Sequence, residues 1–231
     1  MTIHILGNGG HGRDLADIVK AAGAVPAMHD DDPERGEPVP ADVSYLIGVA
    51  GPQTRAQLDR PGNTPYSVHH PSVIGHAACG FGAVIGAGTV IGPEVTIGNH
   101  SHVGAGCTLT RTTIGDHCQI APGVDIAGDV TIGDRVFVGV GATIRNLVTI
   151  GDGAVVGAGS VVLHDVPAGA TVVGIPAKVI KARRWVGEHG PEYMTLPSAS
   201  APHDYRGVVG TDRCLVCGGR LLDAPHVGRQ A

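Results

Sequence analysis

The chain has 231 residues, room for one large or two modest domains, and its 37 glycines and 3% aromatics do not suit a core of large side chains. A net charge of −5 and a pI near 6.2 give no basic footprint, so nucleic acid is not an expected partner. No apolar stretch approaches membrane-spanning length, and MTIHILGNGGHG has neither a charged n-region nor an apolar h-region, so no membrane partner and no signal peptide are expected.

In chain order, residues 2–6 (TIHIL) read as a buried strand followed by the loop Gly7-Asn8-Gly9-Gly10-His11-Gly12. Leu15, Ile18, Val19 and Ala22 then mark one face of a helix that ends at Gly23. A second strand over 24–29 runs into Asp30-Asp31-Asp32, Tyr45 to Val49 forms a third, and 52–60 a short second helix. The alternation predicts a small βαβαβ unit with right-handed crossovers, and 61–72 a linker.

From Val73 to Val162 a six-residue beat takes over. Small aliphatics, with one cysteine, fall at 73, 79, 85, 91, 97, 103 and 109, then at 114, 120, 126, 132, 138, 144, 150, 156 and 162. Many are followed by glycine, as in Ile85-Gly86 and Ile132-Gly133, which is the signature of a hexapeptide β-helix. A stack of small aliphatics with small residues at its corners also accounts for the composition. The step from Leu109 to Ile114 is one residue short. Residues 168–184 close the solenoid, with Gly174-Ile175-Pro176-Ala177-Lys178 as a turn before a short helix, and 187–231 read as loops.

The phase of the beat sorts the side chains. If position i is the inward knob, i+4 also points inward, and there stand Thr89, Ser101, Cys107, Cys118, Ala142, Ala154 and Ser160. Cys79, Cys107 and Cys118 are then packing thiols, and five cysteines in all fit a reducing cytoplasm better than a disulfide framework. His100, His102 and His117 point outward, with His100 and His117 stacked in one column about 4.8 Å apart and Gln119 beside His102. Each is either a solvated surface histidine or part of a site.

The Gly7–Gly12 loop fits G-x-G-x-x-G between a strand and a helix, with acidic residues about twenty positions on. Its glycines let backbone N–H groups approach a phosphate, and a unit this small suits a nucleotide monophosphate or a nucleotide-sugar better than a dinucleotide; a tight packing turn is the plain alternative.

Together GNGGHG, His69-His70-Pro71-Ser72, the solenoid, IAPG at 120–123, AGDVTIGD at 127–134 and DVPAGATVVGIPAK at 165–178 resemble the sugar O- and N-acetyltransferases of the sialic acid O-acetyltransferase and UDP-4-amino-sugar N-acetyltransferase type. The resemblance covers about residues 1–182. It implies a Rossmann-like α/β domain (1–62) holding a nucleotide-sugar, a left-handed parallel β-helix (63–184), a loop-rich extension (185–231), a homotrimer, and acetyl-CoA as co-substrate in a groove between solenoids. By position, Gly9, Gly10, His11, Asp31, Asp32 and Gly51 match acceptor-binding elements, and Gln119, Gly128, Val140 and Ala158 match CoA contacts.

The chain departs from that pattern where the family carries its general base. A histidine followed by an acid is expected just before Ile114-Gly115-Asp116, and here Thr110-Arg111 or Arg111-Thr112 occupies the place. The family's second histidine is Gln119 here. His117 is the first candidate for a displaced base and His102 the second, since an imidazole suits deprotonating an amine or hydroxyl at neutral pH. The competing explanation is a sugar-nucleotide-binding or scaffold relative that has lost the base. A third reading takes His100, His102 and His117 as ligands of a metal-dependent hydratase resembling γ-class carbonic anhydrases. Outside the resemblance, Cys214-x-x-Cys217 has half the spacing of a zinc site, with His203 and His226 as candidates to complete it, against a redox pair or a metal-free loop.

Overall fold

The computed structural model describes residues 1–31, 34, 36–59, 63–185 and 191–195. Strand β1 (Thr2–Leu6) lies at the centre of a four-stranded sheet, between β2 (Val25–His29) and β3 (Ser44–Ile47). Both neighbours run parallel to it. Helix α1 (Gly10–Ala21) joins β1 to β2, whereas α2 (Pro52–Gln57) follows β3. Among the described residues no helix stands between β2 and β3, so the strict βαβαβ alternation expected from the sequence is not kept. Ile3, Ile5, Leu15, Val19 and Leu46 form its core, each 2% exposed or less. Residues 63–72, within the stretch expected as a linker, are more than that. Strand β4 (Thr64–Pro65) extends the sheet beside β3, and Val68–His69 pairs with Val84–Ile85 as the first rung of the solenoid. Val68 and Val84 belong to the α/β core, so the two hydrophobic cores meet at this rung.

The solenoid is a three-sided parallel stack. One face carries Val84–Ile85, His102–Val103, Gln119–Ile120, Phe137–Val138 and Val155–Val156 above that first rung. The second runs from Val90–Ile91 to Val161–Val162, and the third from Ala78–Cys79 to Thr149–Ile150. The knobs from Ile85 to Val162 are 5% exposed or less, as are the i+4 residues Thr89, Ser101, Cys107, Cys118, Ala142, Ala154 and Ser160. Cys79, at the open start of the stack, is only partly buried, and all three thiols are free.

The end of the solenoid differs from the sequence expectation. In place of a short helix after the Gly174–Lys178 turn, Lys178–Trp185 is a strand that folds back antiparallel on Thr171–Val173. Residues 191–195, expected as loop, pair antiparallel with it in turn. The last coil leaves a row of unpaired backbone groups, and a returning strand satisfies them where a helix, bonded to itself, would not.

Each coil turns at three corners, and a residue with positive φ recurs at each. Along the corner between the second and third faces these are Glu94, Arg111, Asp129 and Leu147, at φ 55°, 42°, 63° and 63°. A left-handed non-glycine residue costs on the order of 1 kcal/mol, held here by the ladder of amide bonds between coils.

That corner locates the missing residue. Ile126 and Val130 are separated by Ala127, Gly128 and Asp129, whereas Leu109 and Thr112, their partners one coil earlier, are separated only by Thr110 and Arg111. The lost residue therefore precedes Arg111. At this corner the left-handed amide normally bonds the carbonyl just before the left-handed residue below, as Leu147 does to Gly128. The Asp129 amide instead bonds the carbonyl of Arg111 itself, at 2.7 Å.

Candidate active site

The α/β unit lies on the first face of the solenoid, over the histidines. His100 and His117 occupy left-handed corners, φ 51° and 56°, and their rings stack 5.4 Å apart and 9° from parallel. His102 pairs with Gln119 across the ladder. These contacts match the column arithmetic, but the outward side chains are not solvated. His100 is 3% and His102 1% exposed, because the covering unit excludes water from them. Only His117 of the three keeps an intermediate exposure.

His11, in the first turn of α1, reaches across to His102, with its Nε2 2.9 Å from His102 Nδ1 and the rings stacked. Asp59 approaches His100 Nε2 to 3.4 Å and accepts the Tyr45 hydroxyl at 2.6 Å. His100 Nδ1, His102 Nε2 and His117 Nδ1 are buried without a hydrogen-bond partner among the described residues. Burial holds these imidazoles neutral. It pushes His11 down to about 4, helped by the Arg55 charge, and His102 well below the usual histidine range, helped by Arg55 and the neighbouring imidazoles. His100 and His117 are lowered too, again chiefly by burial, although Asp59 and Asp116 pull the other way.

At the centre stands a residue the sequence did not single out. Arg55 of α2 is fully buried between the α/β unit and the solenoid. Its Nε donates to the Val49 carbonyl at 2.9 Å. One terminal nitrogen donates to the His100 and Cys118 carbonyls, at 3.0 and 2.8 Å. The other donates to Gln119 Oε1 at 2.5 Å and approaches the Ala50 carbonyl at 3.5 Å. All five guanidinium protons thus face acceptors, none of them charged. Burial lowers its pKa to about 9, still protonated at neutral pH, and raises the nearby Cys118 thiol to about 11. Gln119 is 5% exposed, and its Nε2 has a 3.5 Å approach to the Ile120 carbonyl.

The corner where the resemblance expects the family's histidine and acid looks different. Arg111 sits there, about half exposed, in a forked pair with Asp129 at 3.1 and 3.3 Å. Its guanidinium lies against Gly128, where a side chain would collide with it.

The glycine-rich loop has two kinds of glycine. Gly7, at φ 111°, and Gly12 press against each other and against Gly48, leaving no room for a Cβ. Gly9 and Gly10, at the start of α1, face open space. The Asn8 amide donates to Asp30 Oδ2 at 3.1 Å, with the exposed Asp31 next in the chain, and Gly51 caps α2. Asp32 lies outside the described residues, as do Cys214, Cys217, His203 and His226.

Within one chain the four expected CoA contacts do not converge. Val140, 56% exposed, and the exposed Ala158 stack on the corner between the first and second faces, where the Gly159 amide bonds the Val140 carbonyl. Gly128 is on the corner of Arg111, and Gln119 on the first face beneath the α/β unit. Among the described residues no group of three or more His, Cys, Asp or Glu side chains is placed to hold a metal, and no helix is long and apolar enough to cross a membrane.

Three faces of short parallel rungs under an α/β unit define a hexapeptide-repeat solenoid protein. The bacterial transferase hexapeptide model, of six repeats, matches residues 76–111 and 111–146, and the hexapeptide repeat of succinyl-transferase matches 129–164. Among solved structures, a point mutant of perosamine N-acetyltransferase from Caulobacter crescentus, in complex with CoA and GDP-perosamine, is 30% identical with a TM-score of 0.72. The match covers 78% of this chain and 96% of that one. The acetyltransferase domain of PglB from Neisseria gonorrhoeae is 25% identical, TM-score 0.69, over 77% of this chain and 98% of that one. WeeI from Acinetobacter baumannii is 27% identical, TM-score 0.66, over 78% and 100%. No curated protein matches the chain by sequence. The chain belongs to the left-handed β-helix, hexapeptide-repeat family of sugar acetyltransferases.

Proposed function

We propose that this chain transfers an acetyl group from acetyl-CoA to an amino group of a nucleotide-linked sugar. The observation that carries the reading is the match to perosamine N-acetyltransferase, which covers 78% of this chain and 96% of that one and was solved with CoA and GDP-perosamine bound. In this reading residues 1–62 hold the nucleotide-sugar, with Gly9, Gly10, His11, Asp31, Asp32 and Gly51 around it. The open space at Gly9 and Gly10 leaves their amides approachable by a phosphate. Residues 63–184 form the acyltransferase solenoid of a homotrimer in the cytoplasm. The distribution of Gln119, Gly128, Val140 and Ala158 over separate sides of one chain favours a thioester groove built between neighbouring solenoids. Residues 185–231 carry the zinc candidates Cys214, Cys217, His203 and His226, and zinc below about 0.2 per chain in purified protein rejects that assignment.

The chemistry needs the amine neutral as it attacks the thioester carbonyl, a donor for the developing oxyanion, and departure of CoA as thiolate. His117 is the base of this reading, since it alone of the three solenoid histidines keeps an exposed edge. An amine asks less of a weak base than a hydroxyl does, which favours N- over O-acetylation. The Gln119 amide supplies an oxyanion-type donor.

The Arg111–Asp129 pair, on the corner where the resemblance expects the base, favours a second reading, a nucleotide-sugar-binding relative without turnover. Calorimetric titration of acetyl-CoA into wild type and an Ala158→Trp variant separates them. Binding that the variant loses supports the inter-subunit groove. A folded trimer that binds no acetyl-CoA refutes the transferase.

A further inference from the structure

We propose that Arg55 is a positioning residue: it fixes the Gln119 carboxamide so that its NH2 group is the one presented to the thioester. The inference rests on the transferase reading above and adds a residue from the α/β unit to the acyl site. Arginine has five donors and no acceptor, so the amide oxygen must face it and the amide nitrogen must face away. The orientation is dictated by chemistry and not by a choice between two similar atoms. The geometry is over-determined. Nε and the first terminal nitrogen are tied to the Val49, His100 and Cys118 carbonyls, so the second terminal nitrogen, 2.5 Å from Gln119 Oε1, has little freedom. The two solenoid carbonyls come from successive coils, so Arg55 also sets the height of α2 on the face that carries Gln119.

A buried cation beside position 119 also determines what that position can do. Any side chain there must offer Arg55 an acceptor, and a proton acquired there would sit beside an uncompensated positive charge. Position 119 is therefore a donor site, and a general base must be found elsewhere.

The test uses the full chain and two variants. Gln119→Glu keeps the shape, gives Arg55 a counter-charge and removes the NH2 donors. Its thermal midpoint holds or rises, its KM for acetyl-CoA stays within about threefold, and kcat for thiol release with GDP-perosamine as acceptor falls roughly 100-fold. Retention of kcat within threefold overturns the proposal. Arg55→Lys keeps the charge but not the fork, and it shifts or broadens the Gln119 side-chain amide resonances, identified by their loss in Gln119→Glu. Unchanged resonances in folded Arg55→Lys overturn the proposal whether or not the wild type turns over. Wild type that neither binds nor cleaves acetyl-CoA refutes the transferase reading alone, because the resonance test does not depend on turnover.

Discussion

The face under the α/β unit and the corner of Arg111 have each lost a histidine that the family resemblance leads one to expect, and they have dealt with the loss differently. On the face, Gln119 is enclosed with Arg55, His102 and His11, and the Arg55–Gln119 and His11–His102 contacts both depend on the covering unit. At the corner, Arg111 and Asp129 pair in the open and depend on nothing beyond one coil. A buried polar cluster ties its members together, since removing one strands the others, while an exposed pair is screened by water and loosely coupled.

The largest expected effect comes from breaking the enclosed cluster at its centre. Arg55→Ala leaves buried carbonyls without a donor and costs about 3 kcal/mol or more, read as a fall in the thermal midpoint of roughly 6–12 °C by calorimetry. Next is His117→Ala, which lowers turnover roughly 100-fold in a thiol-release assay; a loss below threefold removes His117 from the mechanism. A smaller effect is the pH slope. His11 titrates at about 4 in the folded chain and near 6.5 unfolded, so the unfolded chain binds the proton first as pH drops. Stability is therefore full above pH 6.5 and declines from there towards pH 4, with His102 adding in the same direction. Urea midpoints at pH 7, 6 and 5 fall in that order for wild type, and the slope is shallower in His11→Asn. The smallest effect is at the open corner, where Arg111→Ala leaves the urea midpoint at pH 7 unchanged within error. A marked loss there would mean that the corner, too, is part of a coupled network.

Much of the solenoid was legible because its periodicity is local. Each knob and each i+4 residue follows from counting sixes, and the stacking of His100 on His117 follows from the same count. What covers the outward residues is not a local property. His100 and His102 are buried by a unit that begins some hundred residues earlier in the chain, and nothing in Pro52-Gln53-Thr54-Arg55 distinguishes Arg55 from a solvated helix arginine. The strand at Lys178–Trp185 was missed for a related reason. Its alternation is imperfect, and its conformation is selected by the unpaired edge of the last coil rather than by its own residues. At the site, the sequence showed that a residue was missing near Arg111, and only the rungs on either side showed where.

The short coil has a consequence for how such a molecule can be edited. A residue deleted from a rung would turn every later side chain of that coil inside out, because sidedness along a strand has a parity of two. The deletion before Arg111 falls in a corner, where one left-handed residue closes the turn whether two or three residues span it, and Ile114 still meets Ile132 in register. The corners are thus places where the chain can drop or gain a functional group without renumbering its core, and a scaffold of this kind can change its chemistry while its architecture stays silent about the change.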